Sequence, residues 1–168
     1  MGDTIRIANC SGYYGDRLDA AREMVTGGPI DVLTGDYLAE LTMKILYDQR
    51  EQRGAHMGYV GTFLKQVEDV VGLCLEKGIK IVTNAGGLNP AGMAAEVERI
   101  LEAQGLSARV AYIDGDDLTP HLADYQADGE PFVNLDKGTR LAESDNEVVT
   151  ANTYFGAWAI KEIGRAHV

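Results

Sequence analysis

Short apolar runs alternate with longer amphipathic segments along most of this 168-residue chain. Strands that are separated by whole helices cannot pair as hairpins, so they are joined by right-handed crossovers into a parallel sheet. The pattern therefore predicts an α/β fold with three layers, Rossmann-like, and a mostly parallel sheet of about five strands. The predicted strands are residues 4–8, 30–34, 79–83, 108–113 and 148–151.

Helical periodicity and end signals place the helices between these runs. We predict helices at 17–25 and 37–53, a third that ends at Gly78, and a fourth that runs from Pro90 to about Gln104. Asn89 is suited to cap the fourth helix, with Pro90 at its first position. Thr119 and Pro120 repeat this cap-and-proline signature. The inner stripe of the third helix is predicted to be Phe63, Val67, Val70, Val71 and Cys74.

Residues near 130–142 interrupt the alternation. An apolar run at 132–135 is followed by a turn at 136–138, a pattern typical of a β-hairpin. We therefore predict a hairpin insertion in this part of the chain.

Composition excludes several classes of protein. The formal net charge of −11 argues against binding to a nucleic acid backbone, which needs clustered Lys and Arg. No apolar run approaches the ~20 residues that span a bilayer, and the first residues lack a signal-peptide pattern. The two cysteines are too few and too far apart for a disulfide framework or a zinc site. We expect a cytoplasmic protein with no nucleic acid or membrane partner.

Polar residues follow all five predicted strands. In an open parallel sheet, ligands bind outside the carboxyl ends of the strands. We therefore expect these residues to converge into one ligand-binding site, although they are far apart in sequence. The candidate ligand-binding residues are Ser11, Gly12, Gly15, Asp16, Asp36, Asn84, Gly86, Gly87 and Asn152.

The first loop carries two alternatives. Gly12 and Gly15 would allow backbone amides to approach a phosphate or carboxylate, beside the positive end of the following helix. Alternatively, the glycines form a tight turn and Asp16 caps the helix. Cys10 lies close to the same helix start, which would lower its pKa and favour a nucleophile.

Two other loops carry candidate chemistry. Asn84, Gly86 and Gly87 offer amide donors that could polarise a carbonyl, or they form a demanding strand-to-helix turn. Asp36 precedes Glu40 by one helical turn, and the two would share a face. Either side chain could bind a ligand, or both lie at the start of a helix and bind none.

Asp116 and Asp117 are the candidate catalytic residues. If Thr119 caps the next helix, neither acid is needed for that role. Adjacent carboxylates could hold Mg²⁺, or one could act as a general base. The alternative is a solvated acidic turn.

Six segments resemble the acyclic terpene utilisation family, the AtuA-like proteins, and they occur in the family's order. The resemblance implies the N-terminal domain of such a protein and a role in the breakdown of citronellol- and geraniol-like terpenes by way of acyl-CoA thioesters. The segments are 8–17 (ANCSGYYGDR), 30–46 (IDVLTGDYLAELTMKIL), 81–90 (IVTNAGGLNP), 112–118 (YIDGDDL), 129–138 (GEPFVNLDKG) and 148–160 (VVTANTYFGAWAI).

The resemblance favours an enzyme that acts on a branched acyl-CoA or a related acid. The cofactor stays open, with a CoA thioester as a candidate substrate and Mg²⁺ as a candidate metal. A non-catalytic nucleotide- or CoA-binding module, or a subunit of a larger complex, is the alternative. Family members usually have a more glycine-rich first loop than Asn9–Cys10, which weakens the anion-binding hypothesis.

Family members also continue beyond the end of this sequence. We therefore interpret residues 1–162 as part of an N-terminal domain and residues 163–168 (IGRAHV) as a non-native tail that resembles translated adapter sequence. The expected partners are a small-molecule ligand, the C-terminal part of the same protein and a further copy in a homo-oligomer.

Overall fold

The computed structural model describes residues 4–165 and divides the chain into two compact units, Met1–Tyr112 and Ile113–Val168. The first unit contains a parallel three-stranded sheet in the order β1–β2–β3. The strands are β1 (Ile7–Asn9), β2 (Val32–Gly35) and β3 (Lys80–Thr83). The predicted α/β class and parallel sheet are confirmed.

Four helices belong to the first unit: α1 (Ala20–Gly27), α2 (Glu40–Arg53), α3 (Gly61–Lys77) and α4 (Pro90–Ala103). The end signals of the last two were predicted correctly. The Asn89 side chain accepts a hydrogen bond from the Gly92 amide at 2.9 Å, with Pro90 at the start of α4. Gly78 ends α3 in the left-handed conformation, with φ 69°.

One face of the sheet forms the core against α1 and α3. Leu33, at the centre of β2, is paired with Ala8 on one side and Ile81 on the other. It packs in a buried cluster with residues of α1 and α3, which include Val25 and Val70. On β1 the side chain of Ile7 points away from this face and is 66% exposed.

Helix α2 packs in a different way from α1 and α3. Its buried Leu46 joins a second cluster with Phe63 and Val67 of α3 and with Ala85, in the loop after β3. Gln49 of α2 donates a hydrogen bond to the Tyr14 hydroxyl, in the loop after β1, at 3.0 Å. Helix α2 therefore contacts the loops at the carboxyl edge of the sheet.

The second unit contains α5 (Leu122–Ala127) and α6 (Trp158–Arg165), with 3₁₀ turns at Thr119–His121 and Leu141–Glu143. Of the predicted tail, residues 163–165 form the end of α6, and 166–168 lie outside the described residues. Among the helices described, none has both the length and the apolar character needed to cross a bilayer.

Two of the five predicted strands are not strands in the structure. Residues 108–113 and 148–151 have no strand assignment, because a run of apolar residues becomes a strand only when its backbone pairs with a neighbour. Val110 instead packs against the second core cluster. The described residues thus contain three strands, and the Rossmann-like arrangement stays a prediction.

The predicted hairpin is reduced to a turn with one antiparallel bridge, between Val133 and Arg140. The Asn134 amide donates to the Thr139 carbonyl at 2.8 Å, as a hairpin requires. The flanking backbone cannot extend the ladder, since Phe132 has φ 44° and residues Leu141–Glu143 form a 3₁₀ turn.

Candidate functional site

The loops after β1, β2 and β3 are joined by hydrogen bonds at the carboxyl edge of the sheet. The Asp36 amide donates to the Ser11 carbonyl at 2.9 Å, which connects the first two loops. The Thr83 hydroxyl at the end of β3 donates to the Gly35 carbonyl at 3.0 Å. The structure therefore brings together the candidate residues of these three loops.

The Asn84 side chain is the main link between the second and third loops. Its Oδ1 accepts a hydrogen bond from the Tyr37 amide at 2.9 Å, and its Nδ2 donates to Asp36 Oδ1 at 2.7 Å. Both Asn84 and Asp36 are exposed. Because α2 begins at Glu40, Asp36 lies in the loop and does not share a helix face with Glu40. The exposed carboxylate and amide of this pair face solvent at the sheet edge.

The first loop closes on its own carboxylate. Asp16 Oδ2 accepts from the Gly12 amide at 3.0 Å, and Asp16 Oδ1 accepts from the Arg17 amide at 2.8 Å. These two donors hold the pKa of Asp16 below its ordinary value. In this conformation the Gly12 amide donates its hydrogen bond to Asp16 and not to an external anion. Helix α1 starts at Ala20, so Asp16 is not its cap either.

The third loop is held by close packing. The loop 58–60 lies against it, with the Leu88 amide donating to the Gly58 carbonyl at 2.8 Å. A Cβ atom on Gly86 would lie 2.8 Å from Pro90 Cβ. These contacts support the strand-to-helix turn interpretation of the two glycines. The Ala85 amide donates to the Thr83 hydroxyl at 3.1 Å, so this donor is already used.

A buried polar chain lies beneath the three loops. The Tyr37 hydroxyl donates to Gln66 Oε1 at 2.5 Å, and Gln66 Nε2 donates to the Arg17 carbonyl at 3.1 Å. Tyr37 and Gln66 are 1% and 3% exposed. Neither residue is among the site residues that the sequence pattern predicts. Gln66 could have been found, because it lies between Phe63 and Val70 on the apolar face of α3, where a polar side chain needs partners.

Cys10 does not have the environment of a nucleophile. Its side chain is 6% exposed and lies in the apolar cluster with Leu33, with Sγ 3.9 Å from the Tyr37 hydroxyl. Burial raises the pKa of the Cys10 thiol. The expected lowering of this pKa is therefore wrong, because the thiol is buried and α1 begins only at Ala20, ten residues later.

In the second unit, Asp116 and Asn152 lie together. Asn152 Nδ2 donates to Asp116 Oδ2 at 3.0 Å, and the Thr153 amide donates to the Asp116 carbonyl at 2.9 Å. An antiparallel bridge pairs Asp117 with Asn152. Asp116 and Asp117, both predicted site residues, are therefore neighbours of Asn152 although they are distant from it in sequence.

The role assigned to Thr119 needs correction. The Asp117 carboxylate accepts from the Thr119 amide at 2.9 Å, and the cap position of the 3₁₀ turn Thr119–His121 is Leu118, which makes no side-chain cap hydrogen bond. Asp117 therefore supports the turn that Thr119 was expected to cap. Oxygen ligands of this kind suit Mg²⁺, but no group of three or more acidic, His or Cys side chains that could hold a metal occurs in residues 4–165.

The comparison with protein families identifies the family of the chain. Residues 5–163 match the family described as acyclic terpene utilisation family protein AtuA. The chain belongs to the AtuA family. Membership confirms the resemblance seen in the sequence and connects the chain with acyclic terpene utilisation. No curated protein and no solved structure matches the chain.

Proposed function

We propose that this AtuA-family chain binds a branched acyl-CoA, or the related free acid, at the carboxyl edge of its sheet. The observation that carries the proposal is the exposed Asp36–Asn84 pair, held where three strand-end loops meet. Ligands of open parallel sheets bind at this edge. Acyclic terpenes are branched hydrocarbons, and their carboxylic acids and thioesters offer one polar end for such a pair to orient.

Asn84 and Asp36 have complementary roles in this proposal. The second N–H of Asn84 Nδ2 donates to the carbonyl oxygen of the ligand. Asp36 accepts the first N–H at 2.7 Å and so fixes the direction of the second. Because the first loop already binds its own Asp16 carboxylate, we assign the polar contact to the second and third loops.

The catalytic hypothesis places a base or an Mg²⁺ ligand at Asp116 or Asp117. The oxygen donors of the two carboxylates and of Asn152 are of the type that Mg²⁺ prefers. Asp116→Asn and Asp117→Asn, each assayed in the intact protein for conversion of the CoA thioester of citronellic acid, test this role, which is proposed for the second unit by itself. Full activity of both variants would remove these residues from the chemistry.

A non-catalytic CoA- or nucleotide-binding module is the second candidate. One observation favours it: the Cys10 thiol, directly after β1, is buried and has a raised pKa, so it is a poor nucleophile. This candidate predicts saturable binding with no conversion of the ligand over hours.

Calorimetric titration of the intact protein tests the binding proposal. The probes are the CoA thioester of citronellic acid, the free acid, and CoA alone. We expect Asn84→Ala to weaken binding of the thioester by about tenfold, the order of one lost polar contact with its partner. Asp36→Asn should act in the same direction.

Asn146→Ala is the matched control, since Asn146 is exposed and lies in the second unit. It should bind the thioester as tightly as the unsubstituted protein. Equal affinity in Asn84→Ala and in the control would contradict the proposal. So would the failure of all three probes to bind the unsubstituted protein.

A further inference from the structure

We propose that Gln66 is a positioning residue that holds the three strand-end loops in one arrangement from beneath. The inference rests on the proposed function, because the arrangement it maintains is that of the Asp36–Asn84 pair. Gln66 itself is 3% exposed and does not reach the ligand. It acts through Tyr37 and the backbone of the first loop.

Gln66 lies in α3 among residues that face the core. Phe63 precedes it by three residues and Val70 follows it by four, so Gln66 lies on the face of α3 that packs into the core. Burial of an amide without hydrogen bonds costs several kcal/mol on the least favourable scales. An apolar side chain would fit this face of α3 without that cost. The buried amide of Gln66 therefore has to be compensated by the hydrogen bonds that it makes.

The contacts of Gln66 reach two different loops. Nε2 donates to the carbonyl of Arg17, at the end of the first loop, at 3.1 Å. Oε1 accepts from the hydroxyl of Tyr37, in the second loop, at 2.5 Å. One side-chain amide on α3 thus bridges the two loops.

Tyr37 extends the chain of contacts to the third loop. Its backbone amide donates to Asn84 Oδ1 at 2.9 Å, and Asn84 in turn donates to Asp36. The Tyr37 ring folds over Gly35, where an added Cβ would lie 2.6 Å from the ring. It also packs edge-on against Phe63 of α3, with ring centroids 5.8 Å apart. The contacts with Gly35 and Phe63 therefore fix the position of the Tyr37 ring, and its hydroxyl points towards Gln66.

This chain of hydrogen bonds connects the interior to the proposed ligand contacts. A shift of Tyr37 moves its amide, and with it the orientation of the Asn84 side chain. Misplacement of a binding group by about 1 Å is enough to cost a large factor in function. Gln66 therefore controls the geometry of the site while making no contact with the ligand.

The test uses Gln66→Met, which keeps the length of the side chain and removes both hydrogen bonds. Amide hydrogen exchange of the intact protein is measured without ligand. We expect the amides of Asp36 and Tyr37 to exchange about tenfold faster or more, while the amides of α4 keep their rates. A uniform increase at all amides would show a loss of global stability only and would overturn the inference.

Tyr37→Phe provides a second variant, because it removes only the hydroxyl and keeps the packed ring. Its exchange pattern should match that of Gln66→Met, and the double variant should add little to either. Additive effects of the two substitutions would contradict a shared chain of contacts. Gln104→Met is the matched control, since Gln104 Nε2 donates to the Glu68 carbonyl of α3 at 2.8 Å, outside this chain.

Affinity separates this inference from the proposed function. If the unsubstituted protein binds the citronellic acid thioester, Gln66→Met should bind it about tenfold more weakly and Gln104→Met equally well. Equal affinity of Gln66→Met and the unsubstituted protein would overturn the positioning role and leave the proposed function standing. If the unsubstituted protein binds no thioester, the proposed function fails, and local hydrogen exchange still decides whether Gln66 holds the loops.

Discussion

Gly87 lies at a position in the third loop where there is no space for a Cβ atom. Its φ is +53°, and an added Cβ would overlap Leu46 Cδ1 and would lie 2.8 Å from the Gly58 carbonyl oxygen. The glycine thus permits α2 and loop 58–60 to close against the loop after β3. A residue predicted to bind a ligand has, in the structure, a clear packing role.

Gly87→Ala should lower the free energy of unfolding by about 3 kcal/mol, from left-handed strain together with overpacking. Gly72→Ala in α3 should act in the opposite direction. Its Cβ meets Leu106 at an ordinary 3.7 Å, and alanine favours the helix by ~0.5–1 kcal/mol. Denaturant unfolding of both variants checks the two signs, and a Gly87→Ala protein as stable as the unsubstituted one would contradict the close packing.

The buried thiol of Cys74 is expected to make the free energy of unfolding depend on pH in the alkaline range. Burial raises the pKa of this thiol from 9.0 to about 11. Since the folded-state pKa is the higher one, the contribution to stability is fully present below pH 9 and is lost as pH rises towards 11.

Under reducing conditions, the unfolding free energy of the unsubstituted protein should fall by roughly 2 kcal/mol more between pH 8 and pH 11 than that of Cys74→Ala. Urea unfolding of both proteins at the two pH values measures this difference. Parallel pH profiles would show that the thiol does not titrate with a raised pKa.

Gln66 shows what residue-by-residue prediction from the sequence overlooked. The apolar stripe of α3 was predicted from Phe63, Val67 and Val70, and the polar residue within that stripe was left without a role. Periodicity places Gln66 on the buried face, but it does not identify partners that come from distant loops. Its two hydrogen bonds, to residues 29 and 49 positions away, depend on the tertiary fold.

At the scale of elements, end signals were the most predictable part of the fold. Asn89 begins α4 and Gly78 ends α3. Both act through local backbone geometry, which the sequence encodes within a few residues. The strands at 108–113 and 148–151 were predicted wrongly from apolar character alone, because pairing with a neighbouring strand is not a local property. The hairpin was reduced to a turn for a local reason, the positive φ of Phe132.

Asn89 joins α4 to the segment that precedes α3. Its Oδ1 accepts from the Gly92 amide at 2.9 Å, and its Nδ2 donates to the His56 carbonyl at 3.0 Å. Asn89→Ala should therefore cost about 2 kcal/mol, at the upper end of the range for a lost helix cap. Asn146→Ala, on an exposed side chain, should change the free energy of unfolding by less than about 0.5 kcal/mol. Thermal unfolding compares the two variants, and equal midpoints would contradict the double role of Asn89.

At the scale of the whole molecule, the buried apolar side chains of the described residues all lie between Cys10 and Leu101. Both core clusters therefore belong to the first unit, Met1–Tyr112. Burial of apolar surface is the main stabilising contribution to folding. The first unit thus contains the parts needed to fold by itself.

A chain that ends at Tyr112 should fold cooperatively, with a free energy of unfolding within about 1 kcal/mol of that of the longer chain. Denaturant unfolding followed by tyrosine fluorescence and circular dichroism measures both chains. A shortened chain without a cooperative transition would show that residues after 112 supply part of the core.

The convergence of strand-end loops was the main functional prediction from the sequence. Hydrogen bonds join Ser11, Asp36 and Asn84 to neighbouring loops, so the first three loops lie together, and the ligand site they would form stays a prediction. Asp116 and Asn152 form a separate hydrogen-bonded group in the second unit. The rule that parallel strands end at one edge was enough for the first group, whereas the second rests on backbone pairing that the sequence pattern did not reveal.

Titration of the isotopically labelled intact protein with the CoA thioester of citronellic acid, followed by amide NMR, tests the central claim most directly. We predict saturable shifts at 35–37 and 84–88 together, with residues 20–27 of α1 unchanged. Shifts confined to other parts of the chain, or no saturable shift at millimolar ligand, would contradict a ligand site at the carboxyl edge of the sheet.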